Sequence, residues 1–404
     1  MIFVGVDWAE AHHEVCVLDH AGAVLDHRRV PDGVVGVAQL HGLVADHASE
    51  PSEVIVGIEL DRGLLVGALV MAGYQVVAVN PLATSRYRDR HGTSGAKSDR
   101  GDAKVLADLV RTDRHNHRLV AGDSDLAEAV RVLARAHQSA IWSRQRQLNS
   151  LRSALRAFYP AALDAFGTDL AAGDALAVLQ LAPTPELGRQ LSRAKLAAAL
   201  GRGGRQRNLA QRAAQLQAAL PTPQLATPTP ISEAYGVVVH AAVGHLASLN
   251  QQIASLEEAL GEGFNKHPDA KTIGSLPGLG MVLGARVLGE FGDDQTRFPT
   301  AKCRKNYAGS APITKASGRS LVVLARHARN RRLADALEQW AFCSLTQSAG
   351  ARRYYDQLRA RNKTHRQALR QLANRWVGIL HTCLERQLLY DEHLAWNHLQ
   401  PAAA

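Results

Sequence analysis

The chain predicts an α/β domain at its N-terminus, then a pair of long helices, then a mostly α C-terminal third. Three observations carry that expectation. Over residues 1–80 short apolar runs alternate with helical segments, residues 124–158 contain neither Gly nor Pro, and 321–390 is Arg-rich with apolar residues at helical spacing.

Residues 2–6 (IFVGV) read as a buried strand, and 14–18 with 23–29 flank Asp19-His20-Ala21-Gly22, a hairpin turn. A helix at 34–48, a strand at 54–59, a helix at 63–72 and a strand at 75–79 follow, the last stopped by Asn80-Pro81. The order βββαβαβ implies a mixed sheet covered by helices. A Gly/Ser/Arg-rich loop is expected at 85–98, then a helix from Asp99 with Ser98 as N-cap.

Apolar residues recur near heptad spacing from Leu126 to Phe158, with a slip between Leu133 and Ile141, and again from Leu246 to Leu260. These stripes predict either a coiled-coil stalk or dimer arm, or two helices of one bundle. Between them, 183–231 holds GRGGRQR and PTPQLATPTP, which read as a linker or surface excursion. The expected domains are therefore 1–120, the helical stalk 121–265 with its excursion at 183–231, and a helical domain 266–404. In the last, LPGLG resembles a helix-hairpin-helix turn. There Gly278 and Gly280 either expose backbone N–H groups to a phosphate or simply allow close helix packing. The segment 321–390 is expected to be helical, with Trp340, Leu372, Trp376 and Leu380 as its core face.

The formal net charge of +10 points to a polyanionic partner. It is unevenly placed: residues 1–80 hold 3 basic and 11 acidic residues, whereas 301–390 hold 18 basic and 4 acidic. Cys16, Cys303, Cys343 and Cys383 are widely spaced with no CxxC pair, so neither a disulfide framework nor a zinc site is expected, and a reducing cytosol fits. MIFVGVDWAE lacks a basic n-region and places Asp7 in the apolar segment, unlike a signal peptide, and the longest apolar stretch, at 63–73, is too short to span a bilayer. The expectation is a soluble cytoplasmic, nucleoid-associated protein.

Asp7 ends the first strand, Glu59 ends the fourth, and Asp99 and Asp102 share a face at a helix start. Four carboxylates brought together repel one another unless a cation neutralises them. Clustered carboxylate oxygens suit Mg²⁺, and two such ions can clamp a phosphodiester. Acids on a first strand, a fourth strand and the following helix are the arrangement expected of a ribonuclease-H-like nuclease. Each acid taken alone has a plainer reading as a strand end or a helix-dipole partner.

FVGVDWAEAHHEVCVLD, VGIE and GAKSDRGDAKVLA resemble the DEDD segments of IS110-type insertion-sequence transposases; LPGLGMVLGARVLGEFGD, RFPTAKCRKNYAGSAP and KASGRS resemble that family's second conserved domain. The resemblance spans about 1–160 and 240–390. It implies a RuvC-like domain with Asp7, Glu59, Asp99 and Asp102 as ligands of Mg²⁺, two ions per site. It also implies a transposase domain with a nucleophilic serine, placed at Ser317 by the pattern Pro312…Ser317-Gly318, with Ser310 and Ser320 close enough to be rivals for the role. Lys315 and Arg319 are then placed to stabilise charge on the phosphate, and Lys97, Arg326 and Arg329 join Gly278 and Gly280 as nucleic-acid contacts. The resemblance further implies target and donor DNA as partners, a bridge noncoding RNA as guide, and a homo-oligomer built as a dimer of dimers, with sites composed from two subunits.

Two departures stand out. Asp61 follows Glu59 closely and is a second carboxylate able to share the ligand role, and LVVLARHARN after Ser317 lacks the glycine common before the final helices. Three other readings compete. A metal-only junction resolvase hydrolyses rather than rejoins. An actin-like kinase needs small Gly/Thr residues after its Asp, where this chain has Trp8, Ala9 and Glu10. An inert nucleic-acid scaffold needs none of the acids.

Overall fold

The computed structural model describes residues 1–91, 98–120, 122–327 and 329–397. They form two compact units, one of residues 1–123 with 294–299, the other of 124–293 with 300–404. The two long helices and the C-terminal third, apart from 294–299, thus fall within one unit.

The first unit is a six-stranded mixed sheet: β1 (Ile2–Asp7), β2 (His12–Leu18), β3 (Val24–Pro31), β4 (Val54–Ile58), β5 (Gln75–Ala78) and β6 (Arg118–Leu119), in spatial order β3-β2-β1-β4-β5-β6. β1, β4 and β5 run parallel, and the other pairings are antiparallel. The runs IFVGV and VIVGI do not alternate in polarity because both faces are covered. Val4, Val6, Val56 and Ile58 pack under α1 (Val34–Ala45) and α2 (Leu64–Met71), while Phe3, Cys16 and Ile55 pack on Leu106 and Val110 of a helix on the other face. Burial pushes the Cys16 thiol up to about 11, which keeps it a neutral core side chain.

The expected loop at 85–98 needs correction. Residues 81–91 are helical: α3 (Pro81–His91) starts at Pro81, with Asn80 Oδ1 accepting from the Leu82 N–H at 2.8 Å. Asn-Pro ends a strand and also opens a helix, because proline suits the first helical position. α4 (Asp99–Asp113) begins as expected, with Ser98 Oγ accepting from the Gly101 N–H.

Two glycines set where α4 lies. Gly5 and Gly57 are register partners on β1 and β4. A Cβ on Gly5 would sit 1.9 Å from the Ala103 carbonyl oxygen, and one on Gly57 would sit 2.7 Å from that of Leu106. The helix backbone therefore rests on bare sheet at both positions. Gly5→Ala is expected to destabilise this unit by about 1–3 kcal/mol, as overpacking does. Denaturant unfolding of the full chain monitored by circular dichroism checks it.

In the second unit α5 (Asp125–Phe158) and α11 (Thr229–Asn265) pack against one another. Five helices connect them: α6 (Pro160–Phe166), α7 (Gly173–Leu181), α8 (Pro185–Arg189), α9 (Arg193–Arg202) and α10 (Leu209–Ala219). The predicted excursion at 183–231 is thus largely folded. Leu196, Leu200 and Leu216 are fully buried in one core with Leu155, Phe158, Leu176 and Val243, and the longest stretch without regular structure is 221–228. Thr184 and Ser192 cap α8 and α9; α8 buries Pro185 and Gly188, while Leu196 and Leu200 at helical spacing supply the inward face of α9.

The C-terminal part of this unit contains α12 (Ala270–Gly274), α13 (Met281–Phe291), α14 (Ala301–Tyr307), the hairpin β7 (Ile313–Ser317)–β8 (Ser320–Leu324), α15 (Arg331–Ser344), α16 (Ala349–Ala360), α17 (His365–Arg386) and α18 (Glu392–Trp396). The hairpin corrects the expectation of helix from 321 onward. Val322 and Val323 are β-branched, and Gly318 allows a tight turn. Trp340, Leu372, Trp376 and Leu380 are buried as the core face requires, with Trp340 and Trp376 stacked at 5.4 Å. Among the described residues no helix is long and apolar enough to cross a membrane.

Candidate functional site

The carboxylates follow from register. Val6 pairs with Ile58, so Asp7 and Glu59 come next along the neighbouring parallel strands. The two-residue period of a strand places both on the face of Gly5 and Gly57, the face α4 covers. Ala103, whose carbonyl rests on Gly5, immediately follows Asp102. The glycine seat thus brings the first turn of α4 to the strand ends. Asp7 is half-buried, Glu59 and Asp99 are exposed, and Asp102 is 7% exposed. Asp61 is exposed and turned toward its neighbour Arg62, 3.8 Å away.

Asp102 is already partnered. Arg88 Nη2 on α3 lies 2.5 Å from its Oδ1, while the Arg88 Nε is buried with no hydrogen bond among the described residues. Nothing in the sequence pattern singled Arg88 out, since RYRDR reads only as a basic stretch; Arg88 is the eighth residue of α3 and meets Asp102 only in the fold. The four carboxylates suit a hard divalent cation in kind. Among the described residues, however, no group of three or more acidic, His or Cys side chains is gathered closely enough to hold a metal ion. Lys97 lies outside the described residues.

The serine sits on the hairpin. β7 and β8 pair from Ile313↔Leu324 to Ser317↔Ser320, leaving Gly318-Arg319 as a two-residue turn with Gly318 at φ 54°. Ser317, Lys315 and Arg319 are all exposed. Strand alternation puts Ser317 and Lys315 on one face, with Ser320 and Val322 opposite them on the same face. Ser310 differs: it is buried, and its Oγ lies 3.3 Å from the Lys305 carbonyl and 3.0 Å from Asn374 Oδ1.

Below the hairpin, Glu290 ties four segments together. It takes a two-pronged ion pair from Arg135 at 2.7 and 2.8 Å and a hydrogen bond from Asn330 Nδ2 at 2.6 Å, and its carbonyl accepts from the Tyr307 hydroxyl. Asn330 in turn caps α15. Burial pushes the Glu290 carboxyl up, but the Arg135 and Asn330 hydrogen bonds outweigh it and hold the group below its ordinary range. Such a group stabilises the fold fully above its unfolded value, 4.5, and loses that contribution as pH falls through the lower folded value. Glu290→Gln is expected to cost about 3 kcal/mol at neutral pH and to flatten the loss of stability in acid. Melting temperatures of the two proteins across acidic and neutral buffers check this.

In the LPGLG turn Gly278 is buried with its amide engaged, while Gly280 is exposed. Gly278 has φ 84°, its N–H donates to Gln347 Oε1 at 2.8 Å, and an added Cβ would sit 2.7 Å from the Ser344 nitrogen. Gly280 is the N-cap of α13. Arg326 is half-buried, and Arg329 lies across Gly309, which has φ 66°.

Comparison with known proteins fits both halves. Residues 4–160 match the family model for the IS110 DEDD transposase, and 270–356 match that of the transposase IS116/IS110/IS902 family. The "Mini-circle putative transposase for IS117" of Streptomyces coelicolor is 44% identical over 100% of this chain and 98% of its own length. The chain belongs to the IS110 family of transposases. Other similar proteins include an uncharacterized 43.6 kDa protein of insertion element IS110 from Streptomyces coelicolor, 29% identical over 97% of this chain and 96% of its own, and an uncharacterized 42 kDa protein of IS900 from Mycobacterium paratuberculosis, 28% identical over 96% and 97%. In this transposase the first matched block contains Asp7, Glu59, Asp99 and Asp102, and the second contains Ser317 with Lys315, Arg319, Arg326 and Arg329. The helices α7 to α10 fall between the two blocks.

Proposed function

We propose that this transposase cuts and rejoins DNA through a phosphoserine intermediate on Ser317, assisted by Mg²⁺ held by Asp7, Glu59, Asp99 and Asp102. The observation that carries the reading is a serine presented at the exposed end of a hairpin, with Lys315 on its face and Arg319 in the turn. The Ser317 oxygen attacks a backbone phosphorus, its proton departs, and the deoxyribose oxygen leaves as the phosphoserine ester forms. Attack by a DNA hydroxyl on that ester reverses the exchange and joins the strand to a new end, so no ATP is consumed. Lys315 and Arg319 offset the negative charge on the phosphorus centre. A bound divalent cation would supply Lewis-acid polarisation of the phosphate.

The strand order β3-β2-β1-β4-β5, with acids at the ends of β1 and β4 and on the facing helix, supports a ribonuclease-H-like, RuvC-like assignment for the first unit. The long pair α5 and α11 supports a coiled-coil arm serving a dimer of dimers. The basic excess at 301–390 supports a load of DNA together with a noncoding bridge RNA from the insertion element, handled at the nucleoid in the cytoplasm. Purified protein with the element's ends and a target, assayed with and without the copurifying RNA, tests the guided reading. RNA that maps beside the gene and is required for joining is expected. Site-specific joining by RNA-free protein would remove the guide from the account.

A further inference from the structure

We propose that the cavity between Ser310, Arg329, Glu338, Arg366 and Arg370 is a pocket for one backbone phosphate of nucleic acid, distinct from the phosphate attacked by Ser317. The cavity is about 130 Å³ and is bounded by the Ala308–Ser310 segment, the start of α17 and the face of α15. Three guanidiniums reach it from two segments, Arg366 and Arg370 being one helical turn apart on α17, while Glu338 is the only carboxylate in its lining.

Several arginines of this unit are already partnered. Arg135, Arg286 and Arg352 are paired with Glu290, Asp335 and Asp356, and Arg332 binds Gln138 and Ser139. Arg329, Arg366 and Arg370 make no hydrogen bond or ion pair among the described residues. Burial and the nearby Arg370 charge lower the Arg329 pKa, partly offset by Glu338, so like charge gathers at this spot. An anion relieves it, and planar guanidinium forks match phosphate oxygens two at a time. The pocket is also built rather than incidental: Gly309 at φ 66° leaves room for Arg329, whose Cβ lies 2.4 Å from where a glycine Cβ would be.

Its position gives it a use. Ser310 precedes β7 and Arg329 follows β8, so the pocket lies at the root of the hairpin whose far end carries Ser317. Five strand residues at about 3.3 Å each put Ser317 roughly 15 Å from that root. A phosphate gripped there anchors the strand while another one reacts.

The inference rests on the chain handling nucleic acid and not on the serine mechanism. The test is phenylglyoxal modification of the full-length protein, read residue by residue by mass spectrometry, with duplex DNA, single-stranded RNA or inorganic phosphate as protectant. Protection of Arg329, Arg366 and Arg370 by DNA or by RNA is expected, and which of the two protects identifies the strand held. Protection by inorganic phosphate alone, or by nothing, overturns the proposal. Ser317→Ala must retain the protection even where it abolishes strand joining. In parallel, Arg366→Gln/Arg370→Gln is expected to weaken oligonucleotide binding about 10-fold and to lower the slope of log affinity against log salt by about one, the loss of roughly one phosphate contact. An equal loss in Arg352→Gln/Arg353→Gln, outside the pocket lining, would contradict a specific site.

Discussion

Ser317→Ala is expected to abolish the covalent DNA–protein adduct and to reduce strand joining by on the order of 10³- to 10⁶-fold, the range seen when a nucleophile is removed. Ser317 is exposed at the end of an exposed hairpin, so truncation leaves no cavity and stability is expected to stay within about 0.5 kcal/mol. A large loss of activity with an unchanged melting temperature therefore separates chemistry from folding. Ser320→Ala is the informative companion, because Ser320 faces Ser317 across the same register pair. It is expected to leave the adduct in place. Ser310→Ala serves differently: its hydroxyl is spent on Lys305 and Asn374, so it should lower stability before it touches the reaction.

Asp102→Asn is the second large expected effect, and it has two separable parts. Asp102 is buried against Arg88, so neutralising it leaves a partly buried guanidinium without its counter-charge, at a cost of about 1–3 kcal/mol. It also removes one of the four carboxylates assigned to the cation, and DNA cleavage should fall below detection. The double variant Arg88→Met/Asp102→Asn distinguishes the two roles. It is expected to recover the stability and not the cleavage. If cleavage returned with stability, Asp102 would be a structural partner of Arg88 and nothing more. Arg88→Met alone is expected to tighten binding of Mg²⁺ or Mn²⁺, measured by calorimetry on the DNA-free protein, because the cation no longer competes with an internal guanidinium for Asp102.

How much of this was legible in the amino-acid sequence depends on the kind of signal involved. The strands of the first unit were readable because a sheet covered on both faces needs continuous apolar runs, and IFVGV and VIVGI are such runs. The helix over α4 was readable from its Ser98 cap and from apolar residues at helical spacing, as were the buried faces of Trp340 and Trp376. The amphipathic stripes of α5 and α11 were readable as helices but not as to their partner, which the fold supplies as each other within one chain.

The misses have physical causes. α3 carries many Arg and few apolar residues, so periodicity is silent and only Asn80-Pro81 marks its start. The helices α8 to α10 are short and interspersed with Arg, yet one or two leucines on α9 and α10, and Pro185 with Gly188 on α8, suffice to bury one face. The hairpin was hidden because its two strands are exposed on both faces and show neither alternation nor an apolar run beyond LVVL. For the candidate site, sequence placed the acids at strand ends and a helix start, and it suggested the serine through family likeness. It had no means of finding Arg88 beside Asp102, the glycine pair Gly5–Gly57 that seats α4, or the arginines meeting at the hairpin root, all of which depend on contacts between residues far apart in the chain.

The central claim is that DNA becomes linked to Ser317 during strand exchange. The most direct measurement incubates the full-length protein with Mg²⁺, RNA and a radiolabelled DNA substrate, stops the reaction in denaturant, digests with protease and nuclease, and maps the surviving nucleotide–peptide adduct by mass spectrometry. A phosphodiester-linked nucleotide on the peptide containing Ser317 is the predicted result. Cleaved DNA with free ends and no adduct on any serine would contradict the account and leave a metal-dependent hydrolase in its place.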